Sequence, residues 1–181
     1  MNKLPYIQPE RDLHYNLGVL LLILGSLAQT SRNKKMLTID KIQSFYFLVT
    51  KPAFLNKVLM LANKRQIAID DVDYYTVDTL SVNVDELFDR ERLMIMIKIL
   101  SSKQYLSSEY SSSEGFLFNL TDTGKFIAGK LEDGYFRKIK LFIEQLSSLQ
   151  SQSPSKLNGY INTVLKQGEI FARTQASKRL K

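Results

Sequence analysis

The longest apolar run in the chain, residues 17–27 (LGVLLLILGSL), has no polar face. A helix that is hydrophobic all round is enclosed by protein or lipid. Its 11 residues fall short of the roughly 20 that a bilayer requires. The pattern therefore predicts one long buried helix over residues 11–29. Gly18 and Gly25 lie seven apart on it, near one face, where a neighbouring helix can approach closely. A polar loop (SRNKK, residues 31–35) follows. Thr38 then has the character of an N-cap, with Asp40 favoured in the first turn by the helix dipole. Ile39, Ile42, Phe45, Tyr46 and Val49 recur at helical spacing. Pro52 suits the first turn of a new helix to about Arg65, with Phe54, Leu55, Val58, Leu59 and Ala62 as its stripe.

Residues 66–84 change character, because Ile67, Ile69, Val72, Tyr75, Val77, Leu80 and Val82 alternate irregularly with aspartates. They read as a loop with one short strand. Asn83 and Glu86 have capping-box spacing ahead of a helix over 84–103, whose apolar density predicts burial on most sides. Residues 105–110 and 116–120, joined by SSSEG, read as a hairpin with a flexible tip. Thr121 can cap a helix over 122–131. Two helices complete the chain, 133–149 and 154–176, the second with Ser153 as cap and Pro154 at its first position. The Ser/Gln-rich stretch between them is the best linker in the sequence.

Composition narrows the chemistry. The chain has no Cys and one His among 181 residues, which excludes disulfides, thiolate zinc sites and cysteine nucleophiles and disfavours a Ser/His hydrolase. His14, without a companion His, reads as a structural residue. No phosphate-binding glycine loop, nucleophile elbow or zinc-protease motif is present. No catalytic residue, metal or cofactor is expected, and the chain reads as a non-enzyme. The net charge of +7 has a location: residues 135–181 hold nine of the 25 basic but only two of the 18 acidic side chains. Residues 1–134 are thus neutral overall. Lys166, Arg173, Lys178, Arg179 and Lys181 are candidates for contact with nucleic-acid phosphates, or with an acidic protein surface. A solubilising, frayed C-terminus accounts for the same charges.

Residues 66–92 carry eight carboxylates and two arginines. Asp70, Asp71 and Asp73 lack the spacing of an EF-hand loop and read better as an acidic docking face than as a cation site. Together with Tyr74 and Tyr75 they form the candidate partner-binding segment.

The order of helices, hairpin and a return into Leu120-Thr121-x-x-Gly124 resembles winged-helix regulators. The fold expected is mainly α with a small β-hairpin: a winged-helix-like core, an N-terminal helix and a C-terminal helical extension. Its partition is residues 1–37 (helix and loop), 38–146 (core) and 147–181 (linker and basic tail). A major-groove reader needs Arg, Lys, Asn or Gln on an exposed helix face. The helix over 84–103 offers only Arg90, Arg92, Lys98, Lys103 and Gln104 and opens with Asp85, Glu86, Asp89 and Glu91, and the hairpin tip carries Glu114 without a positive charge. A solvated charged face or a protein interface fits better than base readout.

Four segments carry a more specific resemblance: residues 14–24 (HYNLGVLLLIL), 38–59 (TIDKIQSFYFLVTKPAFLNKVL), 92–105 (RLMIMIKILSSKQY) and 118–146, with NLTDTGKFIAGKLEDGYFRKIKLF at its centre. In this order they resemble the middle components of prokaryotic ABC-three-component systems, including the accessory subunit of Lamassu antiphage systems. Residues 147–181 carry no such likeness. The resemblance implies a small cytoplasmic adaptor that binds near the heads of an SMC/Rad50-like ATPase and restrains an effector such as a nuclease, with the ATP and nuclease chemistry in the partners. It transfers no catalytic or interface residue. A winged-helix DNA-binding transcriptional regulator, using the helix over 84–103 and the basic tail, is the alternative. A third reading is export, since Ser26-Leu27-Ala28 resembles a signal cleavage site, but Glu10 and Asp12 beside Lys3 and Arg11 weaken the positive flank such signals need.

Overall fold

A computed structural model of the chain describes residues 12–30, 34–69, 89–132 and 134–179, with backbone alone at 135 and 168–179. The described residues are mostly helical, with a two-stranded antiparallel hairpin. In chain order the elements are α1 (Leu13–Leu27), α2 (Ile39–Thr50), α3 (Pro52–Leu61), α4 (Arg90–Ser102), β1 (Leu106–Ser111), β2 (Gly115–Leu120), α5 (Asp122–Gly129), α6 (Tyr135–Leu146), a 3-10 turn (Ser147–Leu149) and α7 (Pro154–Arg179).

The apolar N-terminal run becomes the axis of the fold. α2, α4, β2, α5 and α6 all pack around α1, and Val19, Leu20, Ile23 and Leu24 are sealed from solvent. Asp12 caps α1, its carboxylate accepting from Tyr15 N–H at 2.9 Å. The two glycines act as their spacing predicts. A Cβ on Gly18 would lie 2.6 Å from Cζ of Phe136 on α6, and one on Gly25 would touch Leu120 and Ala128. Asn16, buried in the same helix, accepts a hydrogen bond from the Tyr46 hydroxyl on α2 at 2.6 Å. Its polar side chain is thereby satisfied, as burial demands. No helix among the described residues is long and apolar enough to cross a membrane.

Thr38 caps α2 by accepting from Lys41 N–H at 3.4 Å, and Pro52 opens α3. Midway along α3, the Asn56 amide donates to Ile67 O and accepts from Ile67 N–H, both at 2.8 Å. This tie fixes the backbone where the chain enters residues 70–88, which lie outside the described residues together with the Asn83–Glu86 capping box and the expected short strand.

Asp89 caps α4 and accepts from Arg92 N–H at 2.9 Å. Leu93, Met96, Ile97 and Leu100 enter the core. Met94 and Ile95 remain 36% and 48% exposed. Burial on most sides was expected, and the structure corrects this: only one stripe of α4 meets α1 and β1.

The hairpin pairs Leu106 with Leu120 and Ser111 with Gly115. Gly115 takes φ +79°, a left-handed conformation that glycine adopts without a Cβ penalty. One edge is tied to the body where Phe118 N–H donates to Leu37 O at 2.9 Å. The Leu-Thr-x-x-Gly signature has a physical explanation at the end of β2. Leu120 is buried. The Thr121 hydroxyl donates to Gln104 O at 2.7 Å and accepts from Gly124 N–H at 3.0 Å, while Thr121 N–H donates to Tyr105 O at 3.0 Å. A Cβ on Gly124 would sit 2.1 Å from that same Tyr105 oxygen. Only glycine lets α5 start this close to the chain leaving α4.

α6 presents Ile139, Phe142, Ile143 and Leu146 inward. The chain then turns through Leu149, fully buried, into α7, capped by Ser153 and packed on α2 and α3 through Leu157, Ile161, Val164 and Leu165. A single hydrophobic cluster thus runs from Val19 to Leu165. The Ser/Gln-rich stretch expected as a linker joins two members of that cluster.

Candidate interaction surfaces

The candidate residues fall in three situations. Asp70, Asp71, Asp73, Tyr74 and Tyr75 lie outside the described residues, as does Lys181. Arg173, Lys178 and Arg179 lie on the helical backbone of α7 without described side chains. Lys166 is exposed on α7, one residue beyond the last core contact at Leu165. Among the described residues no group of three His, Cys, Asp or Glu side chains could hold a metal ion. His14 is exposed at the start of α1.

The hairpin's electrostatics differ from its own sequence. Glu109 pairs with Lys35, and Glu114 with Lys34 at 3.6 Å, so the loop after α1 supplies the positive charge that the tip lacks. Among its exposed serines and glutamates the hairpin also leaves two aromatic rings to solvent: Tyr110 and Phe116, 71% and 60% exposed, meet edge to face at 5.4 Å. On α5 Phe126 is likewise exposed, with the Lys130 ammonium 4.2 Å from its ring centroid.

A second set of polar contacts holds α7 in place. Lys41 is 4% exposed and its ammonium donates to Gln150 O at 3.0 Å. The Gln150 amide in turn donates to Leu27 O at 2.7 Å and Gln29 O at 3.0 Å, at the end of α1. Ser44 on α2 donates to Asn158 Oδ1 at 2.8 Å. Burial pushes the Lys41 ammonium below the ordinary lysine range, with Glu114 opposing that shift and Lys34 adding to it. At the other end of α1, the Tyr15 N–H holds the Asp12 carboxyl below its usual value.

α4 decides what this scaffold displays. Its exposed residues are Arg90, Glu91, Arg92, Met94, Ile95, Lys98, Ser101 and Ser102, and Glu91, Met94, Ile95 and Lys98 form one contiguous patch. Arg90, at its start, is engaged with Asp40 of α2 at 2.6 Å. A helix that reads bases presents Arg, Lys, Asn or Gln there, and two of these four positions are apolar.

A model of the family described as ABC-three component (ABC-3C) system Middle Component 4 matches residues 27–159. The chain belongs to this family. No curated protein and no solved structure matches it. The middle-component match covers α2 to α6, the hairpin and the first turns of α7. It therefore runs past Leu146 into the segment where the resemblance had ended. The packing explains that extension, because Leu149 and Leu157 close the same core as the matched helices. α1, which fills the centre of that core, lies almost wholly before the matched residues.

Proposed function

We propose that this middle component is a non-catalytic cytoplasmic adaptor of an antiphage complex of the Lamassu kind, bridging the heads of an SMC/Rad50-like ATPase and an effector such as a nuclease. Membership of the ABC-three-component family is the observation that carries the reading. Two features support it. The motifs of catalysis are missing from the sequence, and the scaffold exposes several large apolar and aromatic side chains, Met94, Ile95, Tyr110, Phe116 and Phe126 among them, of the kinds that occur in protein contact sites. In this reading Asp70, Asp71, Asp73, Tyr74 and Tyr75 form a docking segment for a basic partner. Lys166, Arg173, Lys178, Arg179 and Lys181 lie against nucleic acid or an acidic subunit.

The winged-helix regulator is the second reading, favoured by the order in which α4, the hairpin and α5 follow one another. Affinity purification of the tagged full chain from cells expressing the neighbouring genes separates the two. The adaptor brings down a coiled-coil ATPase at fixed stoichiometry. A chain that purifies without such a partner and selects a DNA sequence on its own, with that selectivity lost in an R92A K103A variant, contradicts the adaptor reading.

A further inference from the structure

We infer that the outward face of α4 is a twofold interface between two copies of this chain, with their α4 helices antiparallel. The inference does not rest on the adaptor reading. The residues form a self-complementary pattern. With 3.6 residues per turn, Glu91 and Lys98 lie about 20° apart around the helix and about 10 Å apart along it. Met94 lies about 60° to one side of Glu91 and Ile95 about 40° to the other. A twofold axis through the middle of this patch, perpendicular to the helix, places Glu91 of one copy opposite Lys98 of the other. Met94 and Ile95 of both copies meet at the centre. A closed twofold contact requires such a pattern, in which one patch is its own partner.

The surroundings leave these groups available. Met94 and Ile95 are 36% and 48% exposed, and Glu91 and Lys98 are exposed without an ion-pair partner among the described residues. Of the two arginines that flank Glu91 in the sequence, Arg90 is engaged with Asp40 and Arg92 has a partner of its own. The opposite stripe is rigid, since Leu93, Met96, Ile97 and Leu100 lock it into the core. One face of a 13-residue helix covers well under the roughly 800 Å² per partner of a standard interface, so the association is weak and concentration-dependent.

Sedimentation equilibrium of the full chain up to about 1 mM tests the inference. The wild-type chain associates to a dimer. E91K and K98E each weaken association by about tenfold or more, because the twofold axis brings two like-charge pairs together at once. An equimolar mixture of E91K and K98E regains wild-type association, since every reversed charge then faces its opposite, and the E91K K98E double variant does the same. All four positions are on the surface, so each variant keeps the wild-type melting temperature within a few degrees, which circular dichroism verifies. A wild-type chain that stays monomeric, single reversals that dimerise as the wild type does, or a mixture that fails to recover would each overturn the inference.

Discussion

α1 and α4 each carry a continuous apolar run, Val19–Leu24 and Leu93–Ile97, and these runs meet different fates. α1 is sealed all round from Gly18 to Leu24, and even its one buried amide, Asn16, has a partner in Tyr46. α4 seals a single stripe and turns Met94 and Ile95 outward. The difference lies in position within the fold. Five elements converge on α1, whereas α4 lies at one flank against α1 and β1. An apolar residue reports core only where the topology brings a neighbour to it; elsewhere the same residue reports a contact still to be made.

The contrast can be broken or sharpened by substitution, and the largest effect belongs to the enclosed helix. Leu20→Ala removes a side chain with no solvent access and should cost about 3–4 kcal/mol in urea unfolding. A loss under about 1 kcal/mol would mean that α1 is not the sealed axis. Gly124→Ala drives a Cβ into the Tyr105 carbonyl and should cost about 2–3 kcal/mol, read as a lowered melting temperature. Thr121→Ala keeps the glycine but removes the cap and the bond to Gln104; about 1 kcal/mol is expected by the same measurement. Lys41 gives the smallest and most specific signal. Its native pKa is lowered from 10.5, so between the two values the unfolded chain binds more protons and stability rises with pH. Unfolding from pH 8 to 11 should show that rise in the wild type and a smaller one in Lys41→Met. Identical slopes in both chains would remove Lys41 from the account.

Much of this architecture is written locally. Thr38, Thr121 and Ser153 mark helix starts through bonds spanning three residues, Pro52 and Pro154 through a φ already fixed for a first turn, and the structure begins helices at all of them. The hairpin is legible because Gly115 needs no distant partner to take a positive φ. What the sequence hides is decided at long range. Lys41 belongs to a charged residue class, yet it is buried because a carbonyl 109 positions away receives it. Glu109 and Glu114 suggest a negative hairpin until the fold brings Lys35 and Lys34 beside them. The exposure of Met94 and Ile95 has the same cause, since helical spacing identifies a stripe but not how many neighbours will cover it. The acidic segment 70–88 and the basic end of α7 remain surfaces proposed on composition.

One pair of identical deletions tests the central contrast. Ile23 is sealed within α1 and Ile95 is 48% exposed on α4. In parallel urea unfolding, Ile23→Ala should lose about 3 kcal/mol and Ile95→Ala no more than about 0.5 kcal/mol. Equal losses at the two sites would contradict the account, because α4 would then be as much a part of the core as α1.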